Sequence, residues 1–591
     1  MTGFSPHVLR EYALLADGER GALCGPLGDV TWLCAPGWSD SAVLSSLIGG
    51  TGTYSISPAD TCVWGGYYEP GSLIWRNRWV TTSTAVECRE ALAYPGDPHR
   101  LVLLRRVEAV ERAVRMRVRL ELAGDFGRRS LRELRRDDGT WTGRTGDLYV
   151  RWTGAGDAVT ADDGQLSFEL TVPAGGRHDL VLEITDRRLP DPVEAGRLWQ
   201  VTERAWRTAV PDFENTVAPR DARHAYAVLR GLTTREGGMV AAATLGLPER
   251  AEAGRNYDYR YVWLRDQCYA GLAAAVDEPH PLLDDALRFT TARVLDHGDR
   301  LLPAYRPDGT PPPDETSLDL PGYPGGADIV GNHVNDQFQL DTLGELLQLH
   351  AAAVRHDRID GDTQRAIDVI VRLITERWDT PEAGVWELPD AWWTQSRLAC
   401  VAGLTTLARE LPAHRAAELS GLADKLLAET STRCLDERGA WRCSPTHAGT
   451  DAALLLPPVR GALPADDPRT RATFDAVRHD LTEDGYVYRF APDDQPLGQA
   501  EGAFLLCGFT MALASWHQGR QAEAYRWFER TRAACGPPGL FSEEYDVNQR
   551  QLRGNLPQAF VHAMLLEVAQ RLSSGADSVP FSSRFGAAPP G

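Results

Sequence analysis

The chain contains a single lysine, Lys425, so arginine supplies almost all of its positive charge. With so much Ala and Gly beside it, this looks like the codon bias of a high-GC genome, and the abundance of Arg carries little functional weight. Basic residues are also in deficit: 62 Lys and Arg against 82 Asp and Glu leave a formal charge of −20 over 591 residues. The acidity is spread along the chain, which argues against nucleic acid or an anionic membrane as a partner. No apolar run approaches the roughly twenty residues of a membrane span. The opening MTGFSPHVLREYALLADGER has neither the basic segment nor the apolar core of a signal peptide, so a cytoplasmic protein is expected. The ten Cys contain no C-x-x-C pair and no Cys/His cluster at zinc spacing. We therefore expect no metal, no cofactor and no disulfide framework, and read the thiols as small buried apolar groups.

What is present divides into two periods. In VRMRVRLEL (114–122), Val114, Met116, Val118, Leu120 and Leu122 alternate with charged residues, the pattern of a half-exposed antiparallel strand. Similar runs at 101–109, 147–153, 165–172 and 178–185, separated by turn-like DDG, GAG and AGG, point to a β-sandwich. From about residue 190 the spacing turns helical. Helices are predicted over 221–233, 266–276, 285–295, 334–354, 363–378, 395–408, 416–431, 501–515, 522–534 and 557–572. So many helices without intervening strands suggest a toroid of paired helices carrying function on the loops at one end. A helical solenoid competes, but no fixed repeat period is visible. A chain of this length is expected to hold two domains.

Three loops combine aromatic and charged residues. RNYDYRYVWLRDQ (255–267) sets Tyr257, Tyr259, Tyr261 and Trp263 among Arg255, Asp258, Arg260, Arg265 and Asp266. AGVWELPDAWW (383–393) places Glu387 beside Trp386 and ahead of Trp392 and Trp393. GPPGLFSEEYD (536–546), if extended, turns Phe541, Glu543 and Tyr545 one way and Ser542, Glu544 and Asp546 the other. Glu544 would then meet solvent or a supporting partner. Aromatic faces beside fixed charges suit a pyranose ring, whose C–H face packs on Tyr or Trp while its hydroxyls need charged partners. Two separated carboxyls suit glycoside hydrolysis, one protonated beside an apolar neighbour such as Trp386 and one ionised. Taken alone, each loop reads more simply as a surface segment, a helix cap or aromatic packing.

Five blocks in order resemble glycoside hydrolase family 15, the glucoamylases, glucodextranases and bacterial trehalases: 10–36, LPERAEAGRNYDYRYVWLRDQ (247–267), LPGYPGGADIVGNHVNDQFQLDTLGE (320–345), EGAFLLCGF (501–509) and GLFSEEYD…LRGNLPQAFVHAML (539–565). The resemblance implies a mainly α protein with a β domain, an N-terminal antiparallel β-sandwich followed by an (α/α)6 barrel. On it we place the sandwich at 1–200, a linker at 201–220, the barrel at 221–575 and a tail at 576–591. Carried over residue by residue, Glu387 matches the general acid and Glu543 the general base. Arg265 and Asp266 match the pair that binds hydroxyls of the terminal glucose, Tyr259 and Trp263 match aromatics of that subsite, and Arg489 resembles a further substrate contact. Trp386 is expected beside them. Departures are WELPDAWW, which lacks the Arg and Gly that follow the acid in many bacterial members, Tyr257 in place of Trp, and His333 and Asp336 where small residues are common; His333 is expected to pack.

The resemblance implies an exo-acting, inverting α-glucosidase, with an α,α-trehalase of the same family as the alternative. The expected partner is a small α-linked glucoside or oligosaccharide, with no nucleic acid and no membrane; a homo-oligomer is possible. A disaccharide phosphorylase would not need Glu543, and a silent sugar-binding protein would not keep both carboxyls.

Overall fold

A computed structural model describes residues 5–161, 164–249, 256–491 and 502–573. Arg255 and the tail expected over 576–591 lie outside the described residues. The first part of the chain builds two eight-stranded antiparallel sheets. One runs from Ala13–Ala16 through Thr53–Pro58 and Val114–Glu121 to Leu166–Val172 and Val159–Thr160. The other runs from Arg132–Asp137 through Leu148–Thr153, Arg177–Thr185 and Arg100–Ala109 to Cys62–Tyr68. The alternation read at 114–122 is the mechanism of their packing. Met116, Val118 and Leu120 are buried with Ile56 against Trp79, Leu103 and Leu182 of the facing sheet, while Arg115, Arg117 and Arg119 are exposed.

Helices follow in order: α1 (Ala195–Ala209), α2 (Pro219–Leu232), α3 (Leu264–Ala273), α4 (Pro281–His297), α5 (Leu340–Arg355), α6 (Gly361–Arg377), α7 (Thr394–Glu410), α8 (Ala413–Cys434), α9 (Leu456–Val459), α10 (Pro468–Asp480), α11 (Leu505–His517), α12 (Gln521–Arg532) and α13 (Ala559–Arg571). Contacts pass from α3 to α5, α7, α9, α11 and α13, and α13 returns to α3, so these six close a ring. Among the outer helices, α2 lies on α13, α4 on α3, α8 on α7 and α12 on α11. Ring helices α5, α11 and α13 are buried on nearly every face, as helices packed on both sides must be. The sheets join the ring through a shared core in which Tyr12, Trp32 and Trp38 meet Tyr226 and Leu229 of α2. The Trp32 Nε1–H also donates to the Ala243 carbonyl at 2.8 Å. Among the described residues, no helix is long and apolar enough to cross a membrane.

Three differences from the sequence reading have local causes. Helix α1 runs through the boundary drawn at 200, so a linker over 201–220 is half helix; Glu194 caps it by accepting from Gly196 N–H and Arg197 N–H. The helix expected from 334 begins at Leu340, because Asn332 caps a separate turn, His333–Asp336, and Gln339 is extended. The helix expected from 501 begins at Leu505, because Ala503–Phe504 pairs with Glu544–Asp546 as a strand. The latter helix gives up its first turn where Phe504 lines a cavity. Helix α9, of sequence LPPV, and α10, rich in charge, carried no apolar periodicity strong enough to read.

Candidate active site

The ring helices α3, α11 and α13 present their N-terminal turns to one cavity. Its walls include Tyr259, Trp263, Arg265, Asp266, Trp386, Glu387, Arg489 and Glu543, so the structure brings all eight expected residues together. Helix N-termini carry partial positive charge, which favours carboxylates gathered there.

The segment before α3 is extended and tied down along its length. Ala242 N–H donates to the Tyr259 carbonyl at 2.9 Å, Ala241 N–H to that of Tyr261 at 2.8 Å, and Val262–Trp263 pairs with Ala304–Tyr305. This splits the aromatic run by face. Tyr257, Tyr259 and Trp263 line the cavity. Asp258 and Arg260 turn the other way, fully buried and paired through both carboxylate oxygens at 2.9 and 2.7 Å. Arg260 Nη1 then donates to the Asp40 carbonyl at 2.8 Å, fastening the loop to the sheet domain. Tyr261 points with them and donates to Asp258 Oδ2 at 3.2 Å. Two of the four described charges in this run are therefore structural.

Two of the three aromatics on the cavity side, Trp263 and Tyr259, hold one carboxyl each. Trp263 Nε1–H donates to Glu387 Oε1 at 2.6 Å, and Gln339 Nε2–H to the same oxygen at 3.2 Å. Both donors occupy the same oxygen, Oε1. Tyr259 O–H reaches Glu543 Oε2 at 3.3 Å and Oε1 at 3.5 Å. The Tyr259 and Trp263 rings meet edge to face at 5.4 Å, so one five-residue segment holds both acids. Burial and the facing Glu543 push the Tyr259 hydroxyl well above its ordinary range.

Glu387 has φ +54°, a left-handed backbone that costs a non-glycine residue roughly 1–3 kcal/mol. Its loop is braced to hold that geometry. Glu382 and Ala391 exchange backbone hydrogen bonds at 3.0 Å, and the buried Glu382 accepts from Leu340 N–H, Gly384 N–H and Arg397. Arg265 Nη1 adds a bond to the Val385 carbonyl at 2.6 Å, linking α3 to the loop. Arg265 Nε donates to Asp266 Oδ1 at 3.0 Å, while Asp266 Oδ2 is buried without a hydrogen-bond partner. Burial raises the Asp266 carboxyl above its usual range against the opposing pull of Arg265. A buried, unpaired acceptor on a cavity wall is where an incoming hydroxyl donor gains most.

Trp386 Nε1–H donates to buried Asp451 at 2.9 Å, and its ring packs edge to face on Phe504 at 5.0 Å. Arg489 lies over Phe504 at 4.4 Å and donates from Nη2 to Glu544 Oε1 at 3.0 Å. Glu544 is fully buried and also accepts from Gly502 N–H, so of its two expected settings the supporting one is observed. His333, expected to pack, leaves 46% of its side chain exposed at the cavity wall, bonded to Glu315 and beside the Tyr257 ring. Trp392 and Trp393 are not among the lining residues; Trp393 stacks on His447 instead.

Sequence reasoning missed Glu249, Gln339, Phe504, Gln558 and Phe560. Glu249 lies within the LPE that opens the block at 247–267 but was not singled out; in the structure it is buried, on the cavity wall. Burial, with Glu249 next to it, pushes the Glu543 carboxyl well above the usual carboxylate range, against the pull of Arg489. Among the described residues no group of three or more His, Cys, Asp or Glu is placed to hold a metal ion.

Residues 223–570 match the sequence model of Glycosyl hydrolases family 15, and residues 1–186 that of the Trehalase-like, N-terminal domain. The chain is 27% identical to a trehalase of Mycobacterium tuberculosis, over 98% of this chain and 91% of the relative. It is also 27% identical to a trehalase of Mycolicibacterium smegmatis, over 98% and 93%. Among solved structures, a bacterial glucoamylase in complex with acarbose superposes with a TM-score of 0.67 at 12% identity, covering 97% of this chain and 96% of that one. That likeness is one of fold, and it extends across both the sheets and the helical ring.

Proposed function

The chain belongs to glycosyl hydrolases family 15 and is a glycosidase, and on that premise we propose that it is an inverting α,α-trehalase. The observation that carries hydrolysis is the pair of carboxyls held by adjacent aromatics, Glu387 by Trp263 and Glu543 by Tyr259, in one cavity. Glu387 serves as general acid. Its proton passes to the glycosidic oxygen as the bond from that oxygen to C1 breaks. Water attacks C1 from the opposite face and gives its proton to Glu543, so the configuration at C1 inverts. Burial and the neighbouring Glu249 raise the proton affinity of Glu543, which favours its taking that proton.

Arg265 and the unpaired Asp266 Oδ2 bind hydroxyls of the glucose that is held, and Tyr259, Trp263 and Trp386 supply its apolar walls. Arg489 completes the wall beside Glu543. The ring of six inner helices with outer partners is read as the (α/α)6 barrel, with the sheet domain over 1–200 before it.

The sequence alone ranked a glucoamylase-like α-glucosidase ahead of trehalase. Two observations reverse that order: relatives named as trehalases align along almost the whole chain, and the N-terminal region matches a trehalase-like domain. Initial rates on trehalose, maltose, isomaltose and a short α-glucan, each with and without phosphate, test the reading. Highest kcat/KM on trehalose without phosphate supports it. Preference for maltose or the glucan restores the glucoamylase-like reading, and strict phosphate dependence with glucose phosphate as product makes the protein a phosphorylase.

A further inference from the structure

The cavity wall is graded by exposure. Arg265 and Asp266 are buried, Tyr257, Tyr259 and Glu387 are partly exposed, and among the described residues His333 is the one exposed member of the wall. His333 therefore marks the mouth. The rings follow the same order. Trp263, which holds Glu387, meets Tyr259, which holds Glu543. Tyr259 stacks on Tyr257 with centroids 6.1 Å apart and planes at 12°, and Tyr257 meets the His333 ring at 5.9 Å and 47°. This ladder climbs from the two acids to the mouth. The stretch 333–339 also ends in Gln339, whose Nε2–H donates to Glu387 at 3.2 Å, so one stretch of chain carries both the imidazole and a donor to the acid.

An exposed loop residue is ordinarily mobile, but His333 sits on a fastened backbone. Asn332 before it is buried. Its N–H donates to the Pro313 carbonyl at 3.0 Å, its Nδ2 to the Asp258 carbonyl at 3.3 Å, and its Oδ1 accepts from Val334 N–H at 3.0 Å. Gly331 N–H donates to Asp258 Oδ2 at 3.2 Å. Gly331 has φ +87°, and a Cβ there would stand 2.3 Å from the Asp314 carbonyl oxygen, so the close approach needs glycine. The imidazole is fixed in turn through Nδ1, 2.9 Å from Glu315 Oε1. A carboxylate only accepts, so Nδ1 carries the hydrogen of that bond. Nε2 has no hydrogen-bond partner among the described residues and is the ring atom left for a ligand. A sugar hydroxyl both donates and accepts, so it suits Nε2 with or without a proton.

We propose that His333 is a specificity-determining residue for the leaving half of the substrate: its Nε2 forms a hydrogen bond with a hydroxyl of the departing glucose, while Arg265 and Asp266 hold the other glucose. The inference rests on the reading of Arg265 and Asp266 as the seat of the glucose that is held. With that half among the buried residues, the half that leaves lies toward the mouth, where His333 is. Glu315 and Tyr257 act through the imidazole, one fixing its tautomer and the other its ring.

The test compares two substrates that share the held glucose and differ in what leaves: trehalose, and α-glucosyl fluoride, whose fluoride has no hydroxyl. His333→Ala should lower kcat/KM on trehalose by about 3–10-fold, the loss of one hydrogen bond, mainly through KM, and change kcat/KM on the fluoride by less than about twofold. His333→Phe keeps a ring beside Tyr257 without Nε2 and should lose as much as Ala. Melting temperatures near that of the wild type are expected, because the side chain is exposed. Equal losses on both substrates would mean that His333 acts on the held glucose or on the acids, and unchanged rates on both would mean no contact; either result overturns the proposal. Wild-type rates on trehalose for His333→Phe would overturn it too, since the ring alone would then suffice. The trehalase reading fails separately, in the wild type, by a preference for maltose or a glucan. The same comparison with that substrate in place of trehalose still decides the role of His333, because the fluoride lacks the leaving sugar in every case.

Discussion

Arg105 in the sheet domain and Arg265 in the helical ring are both buried beside a carboxylate, yet their surroundings differ. Arg105 Nε donates to Glu90 at 3.0 Å, Nη1 to the Tyr54 carbonyl at 3.0 Å and Nη2 to that of Gly28 at 2.6 Å, so it pins one sheet to the other. Arg151 and Glu183 close on each other in the same way through two bonds, at 2.6 and 2.8 Å. In the ring the acids outrun their partners. Asp266 Oδ2, both oxygens of Asp341 and Glu345 Oε2 are buried without hydrogen bonds, and among the described residues the sheet domain has no buried carboxylate oxygen in that state. Charge that closes on itself holds a fold, and charge left open waits for a ligand or for water.

Breaking the comparison at its centre gives the largest effect. Glu543→Ala should lower kcat on trehalose by about 10³–10⁴-fold with the melting temperature nearly unchanged and substrate binding still measurable by calorimetry. The opposite outcome is expected for Arg105→Leu, which strands Glu90 without its cation. Stability should fall by about 3–5 kcal/mol, read as a lowered urea midpoint, while kcat/KM of the folded fraction holds. Glu387→Gln should cost about 10²–10³-fold on trehalose but much less on an aryl α-glucoside with a good leaving group, since that departure needs little protonation. Equal losses on both substrates would count against Glu387 as the acid. Asp266→Asn should weaken the hold on the glucose hydroxyls by about 1.5–3 kcal/mol, a rise in the dissociation constant of a glucose-like inhibitor.

The smallest effect sharpens the contrast through pH. Burial raises the Glu345 carboxyl to about 7 from an ordinary value of 4.5, with Arg460 pulling the other way. Between those values the folded chain keeps a proton that the unfolded chain has released. Stability owed to this group is therefore full below about 4.5, falls as pH rises, and stays lost above about 7. Glu345→Gln cannot titrate, so it should melt with the wild type at pH 4.5 and at higher temperature by pH 8, a gain of about 1–3 kcal/mol. Removing a charge should thus stabilise the ring where it destabilises the sheet domain.

The same contrast explains what the sequence could tell. Strand Val114–Glu121 was legible because one face is wet and one dry, and alternation records that difference directly. Helices α6 and α8 were legible for the same reason at a longer period. Glu387 and Glu543 stood out beside aromatics in their loops, but their roles as acid and base came only from the family resemblance, since an isolated Glu in a loop has no distinguishing pattern. RNYDYRYVWLRDQ looked like one sugar-binding surface, but folding sends Asp258 and Arg260 to the sheet domain and keeps Tyr259, Trp263, Arg265 and Asp266 for the cavity. Which face each residue takes depends on strands and carbonyls far away in the chain, Asp40 among them. Glu249 was missed because Arg489, 3.5 Å from its carboxylate, comes from far along the chain, and no local spacing encodes that contact.

The central claim is hydrolysis with inversion by Glu387 and Glu543, and a proton NMR time course on trehalose tests it most directly. The anomeric region is followed before mutarotation scrambles it. Inversion predicts one β-glucose from the half that is attacked and one α-glucose from the half that leaves, in equal amounts at the earliest times. Early signal from α-glucose alone would mean retention, and would contradict the assignment of Glu543 as the base that activates water.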